Sequence, residues 1–264
     1  MSRTSIGDVG YEIADGIARI ILQAPERGNT LTRATTRAFA DVVDAVLEAK
    51  PRVIMLLAEG RIFCAGGDID EFTANADDLG PLVDETVAPL HPAMLKLHES
   101  PAPVVSVVQG PIGGAGVGLA LSADFVLAAT SMKLRTGYVA IGLSPDAGTA
   151  YFLARRVGAI RAQQWLMLSD PVDAQACLQY GAVDALHPDG ELREAAEALA
   201  ARLARGAPGS LAAVRTLCAG LPGRGLADHL DLEYRLIGER ARSGDAREGV
   251  RAFMEKRAPR FEGA

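Results

Sequence analysis

The sequence predicts an α/β fold in which a mostly parallel sheet is covered by helices, with a helical layer added at the C-terminus. Three observations carry that expectation. Short β-rich runs such as "RVIMLLAEG" (52–60) and "PVVSVVQG" (103–110) are apolar at nearly every position, as strands buried on both faces are. Helix-spaced segments separate these runs, which is how parallel strands are connected. From about residue 190 onward the strand pattern stops and helical spacing takes over. A core unit over 1–190 and a helical region over 191–264 are therefore expected.

From the N-terminus, "YEIADGIARIIL" (11–22) contains two alternating runs around Asp15-Gly16, a dipeptide suited to a tight hairpin turn. "RATTRAFADVVDAVLEA" (33–49) has helical spacing at Phe39, Val42, Val43, Val46 and Leu47. The run at 52–60 is a strand closed by glycine. "FCAGGDIDEF" (63–72) then turns from a short strand into acids that favour a first helical turn, and a longer helix follows around Leu90 to Leu97. The strand at 103–110 leads into a glycine-rich stretch. At the C-terminus, "ELREAAEALAARLARG" (191–206), "GSLAAVRTLCAG" (209–220), "LADHLDLEYRLIGERARSG" (226–244) and "DAREGVRAFMEKR" (245–257) read as successive helices. Asp245 followed by Glu248 gives the last of them a capping-box arrangement.

With 49% hydrophobic and 23% charged residues the chain has a globular, not a disordered, composition. A formal charge of −6 argues against nucleic acid or an anionic membrane as partner, since both need a basic surface. Cys64, Cys177 and Cys218 form no paired framework, which suggests a reducing compartment and thiols used as small core residues. His91, His98, His187 and His229 show no metal-ligand spacing, so no metal is expected. The N-terminal segment lacks an apolar signal region and no window approaches the roughly 18 apolar residues of a membrane span. A cytoplasmic protein is expected.

The chemistry-bearing signal is "GPIGGAGVGLAL" (110–121), with five glycines in twelve positions. It does not fit G-x-G-x-x-G/A: Gly114 and Gly116 lead to Leu119, and Gly116 and Gly118 lead to Leu121. It lacks the lysine of a Walker loop as well. What remains is a strand ending where backbone can be approached closely, above a helix start with free N–H groups. Ala65-Gly66-Gly67 before Asp68 forms a second such corner, 48 residues from the first when Gly67 and Ala115 are compared. Each corner alone reads first as a structural turn with its cap. Together they could aim one amide each at a single oxygen, which is the design of an oxyanion hole.

"RIFCAGGDIDEF" followed by "PVVSVVQGPIGGAGVGLALSADFVLA" resembles the enoyl-CoA hydratase/isomerase family, the crotonase superfamily. The likeness continues through "IGLSPDAGTAYFLARRVG", "DAQACLQYGAVDALHP" and "DAREGVRAFMEKRAPRF". It implies a crotonase-like spiral of ββα units whose C-terminal helical region builds homotrimers, often paired into homohexamers. It implies an acyl-CoA thioester as substrate, with CoA entering as part of that substrate and no separate cofactor. The oxyanion amides would be those of Gly67 and Ala115, flanked by Ala65, Gly66, Asp68, Ile69 and Gly114. Arg27, in "APERGNTL" (24–31), resembles a partner for CoA phosphate, and Phe253 and Lys256 resemble residues that reach CoA from a neighbouring subunit.

The chain departs from the family where hydration is carried out. The two hydratase glutamates fall, by resemblance, on Gly118 and Tyr138, and both carboxylates are missing. Asp146, in "GLSPDAGT", has two readings. Ser144 and Pro145 could start a helix in whose first turn Asp146 sits. Alternatively, superfamily isomerases carry their working aspartate at the matching place. The resemblance thus favours a double-bond or ring isomerase that uses Asp146, with Tyr138 bordering the acyl pocket. The alternatives are an atypical enoyl-CoA hydratase, an aryl-CoA dehalogenase-like enzyme with Asp146 as nucleophile beside His91, and a non-catalytic acyl-CoA-binding protein.

Overall fold

The computed structural model describes residues 3–263. The chain opens with strands β1 (Thr4–Ile6), β2 (Val9–Ala14) and β3 (Ile17–Leu22), then helix α1 (Arg33–Glu48) and strand β4 (Val53–Ala58). Helices α2 (Ile69–Ala74) and α3 (Leu79–Glu99) lead to β5 (Val104–Val108), β6 (Ile112–Gly113), α4 (Ala115–Leu121), β7 (Phe125–Ala129) and β8 (Lys133–Arg135). Next come α5 (Thr149–Val157), α6 (Ala159–Leu168), β9 (Val172–Asp173), α7 (Ala174–Gln179) and β10 (Ala185–His187). Four helices finish the chain: α8 (Leu192–Ala204), α9 (Pro208–Ala219), α10 (Leu226–Ala241) and α11 (Gly244–Met254).

The main sheet has the order β1-β2-β3-β4-β5-β7-β10, antiparallel across its first three strands and parallel from β3 onward. The β2–β3 hairpin turns at Asp15 and Gly16, both left-handed at φ 52° and 75°, as a two-residue primed turn requires. Burial on both faces explains the unbroken apolar strands. In β4, Ile54 and Leu56 point into one cluster with Phe39, Val43 and Leu97 of α1 and α3, while Val53, Met55 and Leu57 point into a second on the opposite face.

That second face is covered by α8, through Leu192, Ala196 and Ala200. Arg19 of β3 reinforces the contact with two bonds to Glu197, of 2.9 and 2.6 Å. The expected boundary at 190 therefore divides one hydrophobic core, because the sheet's second face needs α8 as its cover. Among the C-terminal helices, α9 and α10 are the ones that bury no residue fully. The expected capping box is also corrected. Ser243 caps α11 by accepting from the Ala246 N–H, and the buried Asp245 carboxylate instead receives the Glu262 and Gly263 N–H groups of the returning C-terminus.

A smaller sheet, β6-β8-β9, lies beside two chain corners that run parallel to each other. The Phe63 N–H donates to the Pro111 carbonyl at 3.1 Å and the Gly113 N–H to the Cys64 carbonyl at 2.9 Å. Contact is backbone on backbone: a Cβ at Gly110 would lie 1.8 Å from the Arg61 oxygen, and one at Gly113 2.6 Å from the Ala65 oxygen. No described helix is long and apolar enough to cross a membrane.

Gly110→Ala is accordingly expected to cost about 1–3 kcal/mol or more through overpacking against main chain that cannot move away. An unchanged urea midpoint would show that the corner has room. The cysteines differ from expectation at one position: Cys64 and Cys177 are buried, Cys218 is exposed. Burial pushes the Cys64 and Cys177 thiols up to about 12. In native protein near neutral pH these two should resist thiol-directed reagents and react only after denaturation, as mass mapping of the labelled positions would reveal.

Candidate active site

The paired corners bring Gly67 and Ala115 to the wall of one cavity of about 260 Å³. Leu31 holds the first corner by donating its N–H to the Gly66 carbonyl at 2.8 Å, and the Gly114 N–H holds the second by donating to the Arg135 carbonyl at 3.1 Å. Gly66 packs directly on Gly113 and Gly114: a Cβ there would stand 2.7 Å from the Gly113 oxygen. Gly114, at φ 46° and ψ −126°, takes a conformation open to glycine alone and starts α4 without a side-chain cap. Ala115 is the first residue of that helix, where an N–H has no intrahelical acceptor. Within the described residues neither the Gly67 nor the Ala115 N–H meets an acceptor. Two main-chain donors without partners thus border the same space.

The rest of the wall is largely apolar, with Leu31, Phe72, Val83, Val87, Leu90 and Leu143 prominent. Among the lining residues Asp146 carries the single carboxylate. Its Oδ1 accepts the Tyr138 hydroxyl at 2.6 Å, and its Oδ2 has no partner within the described residues. Thr149 Oγ1 lies 3.1 Å from the same Tyr138 oxygen. Desolvation of the buried phenol, with the Asp146 charge beside it, holds Tyr138 well above the ordinary tyrosine range. Tyr138 is therefore a protonated donor facing a carboxylate.

The first-turn reading of Asp146 is corrected. Helix α5 begins at Thr149 with Gly148 as its cap residue, so Ser144 and Pro145 lie in a loop and Asp146 precedes the helix. Its carbonyl accepts the Thr149 N–H at 2.8 Å. The next residue, Ala147, is fully buried and left-handed at φ 48°, and its carbonyl presses on Gly118. A Cβ at Gly118 would stand 2.2 Å from that oxygen and 2.8 Å from Thr149 Oγ1. The position where the resemblance puts a hydratase glutamate is closed by main chain.

Ala65, Ile69 and Gly114 line the cavity as expected positions for ligand contact, whereas Gly66 is used in packing the two corners. Asp68 is corrected to a structural role. Its Oδ1 caps α2 through the Glu71 N–H at 3.0 Å, and its Oδ2 accepts the Thr30 hydroxyl at 2.6 Å, the main reason its carboxyl is held low. His91 is corrected too: it does not line the cavity, and its Nε2 accepts the Ala147 N–H at 3.0 Å. Arg27 stands outside the cavity, paired with Asp8 at the surface. Phe253 and Lys256 are exposed and do not line the cavity of their own chain.

The residues that sequence reasoning passed over are the walls. Val83, Val87 and Leu90 form a helical stripe on α3, but such a stripe looks the same whether it faces core or cavity. Phe72, at the end of "RIFCAGGDIDEF", carries no polar group that would mark it as part of a site. A Cβ on Gly67 would meet its ring at 2.8 Å, so Phe72 lies against the first corner.

Comparison with known proteins agrees with this architecture. A family model described as enoyl-CoA hydratase/isomerase matches residues 12–264. The chain is 38% identical over 256 residues to a Rhodobacter capsulatus protein named "Probable enoyl-CoA hydratase", covering 97% of this chain and 98% of that one. It is 34% identical over 259 residues to the 1,2-epoxyphenylacetyl-CoA isomerase of Escherichia coli, covering 95% and 97%. A crystal structure of an enoyl-CoA hydratase from Polaromonas sp. JS666 superposes with a TM-score of 0.91 at 28% identity, over 97% of this chain and all of that one. The crotonase-like fold implied by the motifs is thus the fold found, and the chain belongs to the enoyl-CoA hydratase/isomerase family.

Proposed function

We propose that the protein is an isomerase of acyl-CoA thioesters in which Asp146 carries a proton between two carbons. The observation that supports this reading is the single carboxylate at the cavity wall. Adding water across a double bond calls for one group to take a proton from water and another to give one to carbon. Moving a double bond needs one group that does both in turn.

The thioester oxygen is assigned to the Gly67 and Ala115 N–H groups. For a 3-enoyl thioester, Asp146 Oδ2 takes a proton from the α-carbon, and the C–H electron pair is delocalised onto the thioester oxygen as a dienolate. The same carboxyl then gives the proton to the γ-carbon, leaving the 2-enoyl thioester with no net change of atoms or electrons. Preorganised donors stabilise the dienolate by several kcal/mol, the scale lost when one such donor is removed. Tyr138 orients the carboxylate through Oδ1, and Oδ2, which has no partner among the described residues, is the atom assigned to the proton transfer. Arg27 is assigned to CoA phosphate, since an exposed pair such as Arg27–Asp8 contributes little and is readily exchanged. Phe253 and Lys256 would reach CoA from a neighbouring copy in a homotrimer or homohexamer, for which exposed Leu226, Tyr234, Ile237 and Val250 offer apolar surface.

A second reading, hydration, is favoured by the hydratase names of the Rhodobacter capsulatus relative and of the Polaromonas structure. Rapid loss of crotonyl-CoA absorbance with the native protein would support hydration over isomerisation. Asp146→Asn is expected to lower isomerisation of 3-enoyl-CoA by about 10²- to 10⁴-fold, the usual weight of a proton-transfer group, with acyl-CoA binding retained. Normal turnover by that variant would sink the assignment. Tight binding of enoyl, dienoyl and aromatic thioesters without turnover of any would instead indicate a binding protein.

The weakened acidity of Tyr138 gives a pH signature. Because the folded value lies above the unfolded one near 10, Tyr138 contributes its full stabilisation below about pH 10 and loses it as pH climbs through the folded value. Phenolate absorbance should show a component ionising above the ordinary tyrosine range, and that late component should be missing in Tyr138→Phe. Ionisation of all tyrosines together in folded protein would contradict the assigned environment.

A further inference from the structure

We propose that His91 is a positioning residue that fixes the Asp146 carboxylate by holding the peptide beside it, a role that rests on Asp146 being the proton carrier. His91 stands on α3, whose Thr86, Val87 and Leu90 form part of the cavity wall, yet its own side chain is not in that wall. Its Nε2 lies 3.0 Å from the Ala147 nitrogen. A backbone N–H can only donate, so Nε2 accepts and the ring proton of the neutral imidazole is on Nδ1.

The peptide it holds is one that would not stay in place unaided. Ala147 is a non-glycine residue at φ 48°, a sparsely populated conformation that persists only where its surroundings over-determine it. Its N–H is buried, and without His91 it would have no acceptor, a costly state for a main-chain donor. On the other side of the residue, the Ala147 carbonyl fits against Gly118 only because that position has no Cβ. His91 and Gly118 thus clamp Ala147 from its two ends.

Asp146 is the residue directly before the clamp. Its carbonyl is tied to the Thr149 N–H and its Oδ1 to the Tyr138 hydroxyl. Between the short helical turn Val139–Ile141 and α5, no regular element supports the loop that carries it. Rotation of the 146–147 peptide would therefore carry the free Oδ2 away from the position set by Tyr138. The helix that forms the acyl wall and the pin that aims the carboxylate are one element, so substrate placement and base placement share a frame.

The test compares His91→Gln, whose side-chain oxygen can accept the same N–H, with His91→Phe, which cannot. Each is made alone and together with Asp146→Asn, with kcat and KM measured for 3-enoyl-CoA isomerisation. His91→Gln should stay close to wild type. His91→Phe should lower kcat by about 10- to 100-fold, the scale of a misplaced catalytic group, with KM little changed, and should lower nothing further once Asp146→Asn is present. Amide exchange at Ala147 should quicken in His91→Phe and not in His91→Gln, which separates a released clamp from a misfolded variant. Full activity of His91→Phe overturns the proposal. So does equal loss in His91→Gln and His91→Phe, because the imidazole would then act chemically and not as an acceptor. If Asp146→Asn keeps its activity, it is the isomerase reading that fails; if Asp146→Asn is inactive and His91→Phe is not, only the positioning role falls.

Discussion

The site depends on the parallel pairing of two chain corners, residues 63–67 and 111–115, at backbone contact distance. Gly110, Gly113 and Gly66 lie where each corner's main chain meets the other, with carbonyl oxygens in the space a Cβ would take. This pairing places two N–H groups that have no acceptor of their own at one cavity. The glycines are explained first by this approach of chain to chain. Access of a ligand to the amides is its consequence, since side chains that would have screened them cannot be accommodated.

A second constraint lies across the cavity. The 142–149 loop is drawn in over Gly118 until the Ala147 carbonyl occupies the room that a side chain at 118 would need. The closure of position 118 and the inward placement of Asp146 are therefore two sides of one arrangement. Tyr138, buried and protonated, stands where the resemblance implies the second hydratase glutamate and donates its hydroxyl to Asp146. Electrostatics accords with this: in a poorly hydrated cavity one carboxylate supported by a donor is tolerable, while a second nearby would raise the cost of charging both.

Much of this was legible in the order of residues. Helix α1, the hairpin at Asp15-Gly16, strands β4 and β5 and the helical run after 190 follow from spacing and turn chemistry that act within a few residues. The errors fall where several local solutions were equally good. Ser144-Pro145 is a sound helix start, but here the chain stays open until Thr149 because Ala147 is held in a left-handed turn by His91 and Gly118. Asp245 with Glu248 is a sound capping box, yet Ser243 is as good a cap and the returning C-terminus claims the Asp245 carboxylate. Asp68, in contrast, is the helix cap that its position suggests.

The sequence by itself determined the class of fold and the two glycine corners, because each is carried by residue type at fixed spacing; that Gly118 and Tyr138 stand where hydratases carry glutamates is what the family resemblance implies. Tertiary structure decided which donors lack acceptors, which acid faces the cavity and which histidine supports it from behind. Those properties depend on what stands opposite a group across the fold, far away in the chain: 29 positions for Gly118 and Ala147 and 56 for His91 and Ala147. A hydrogen bond or a steric exclusion acts over a few ångströms of space, and spacing along the chain carries no measure of that distance.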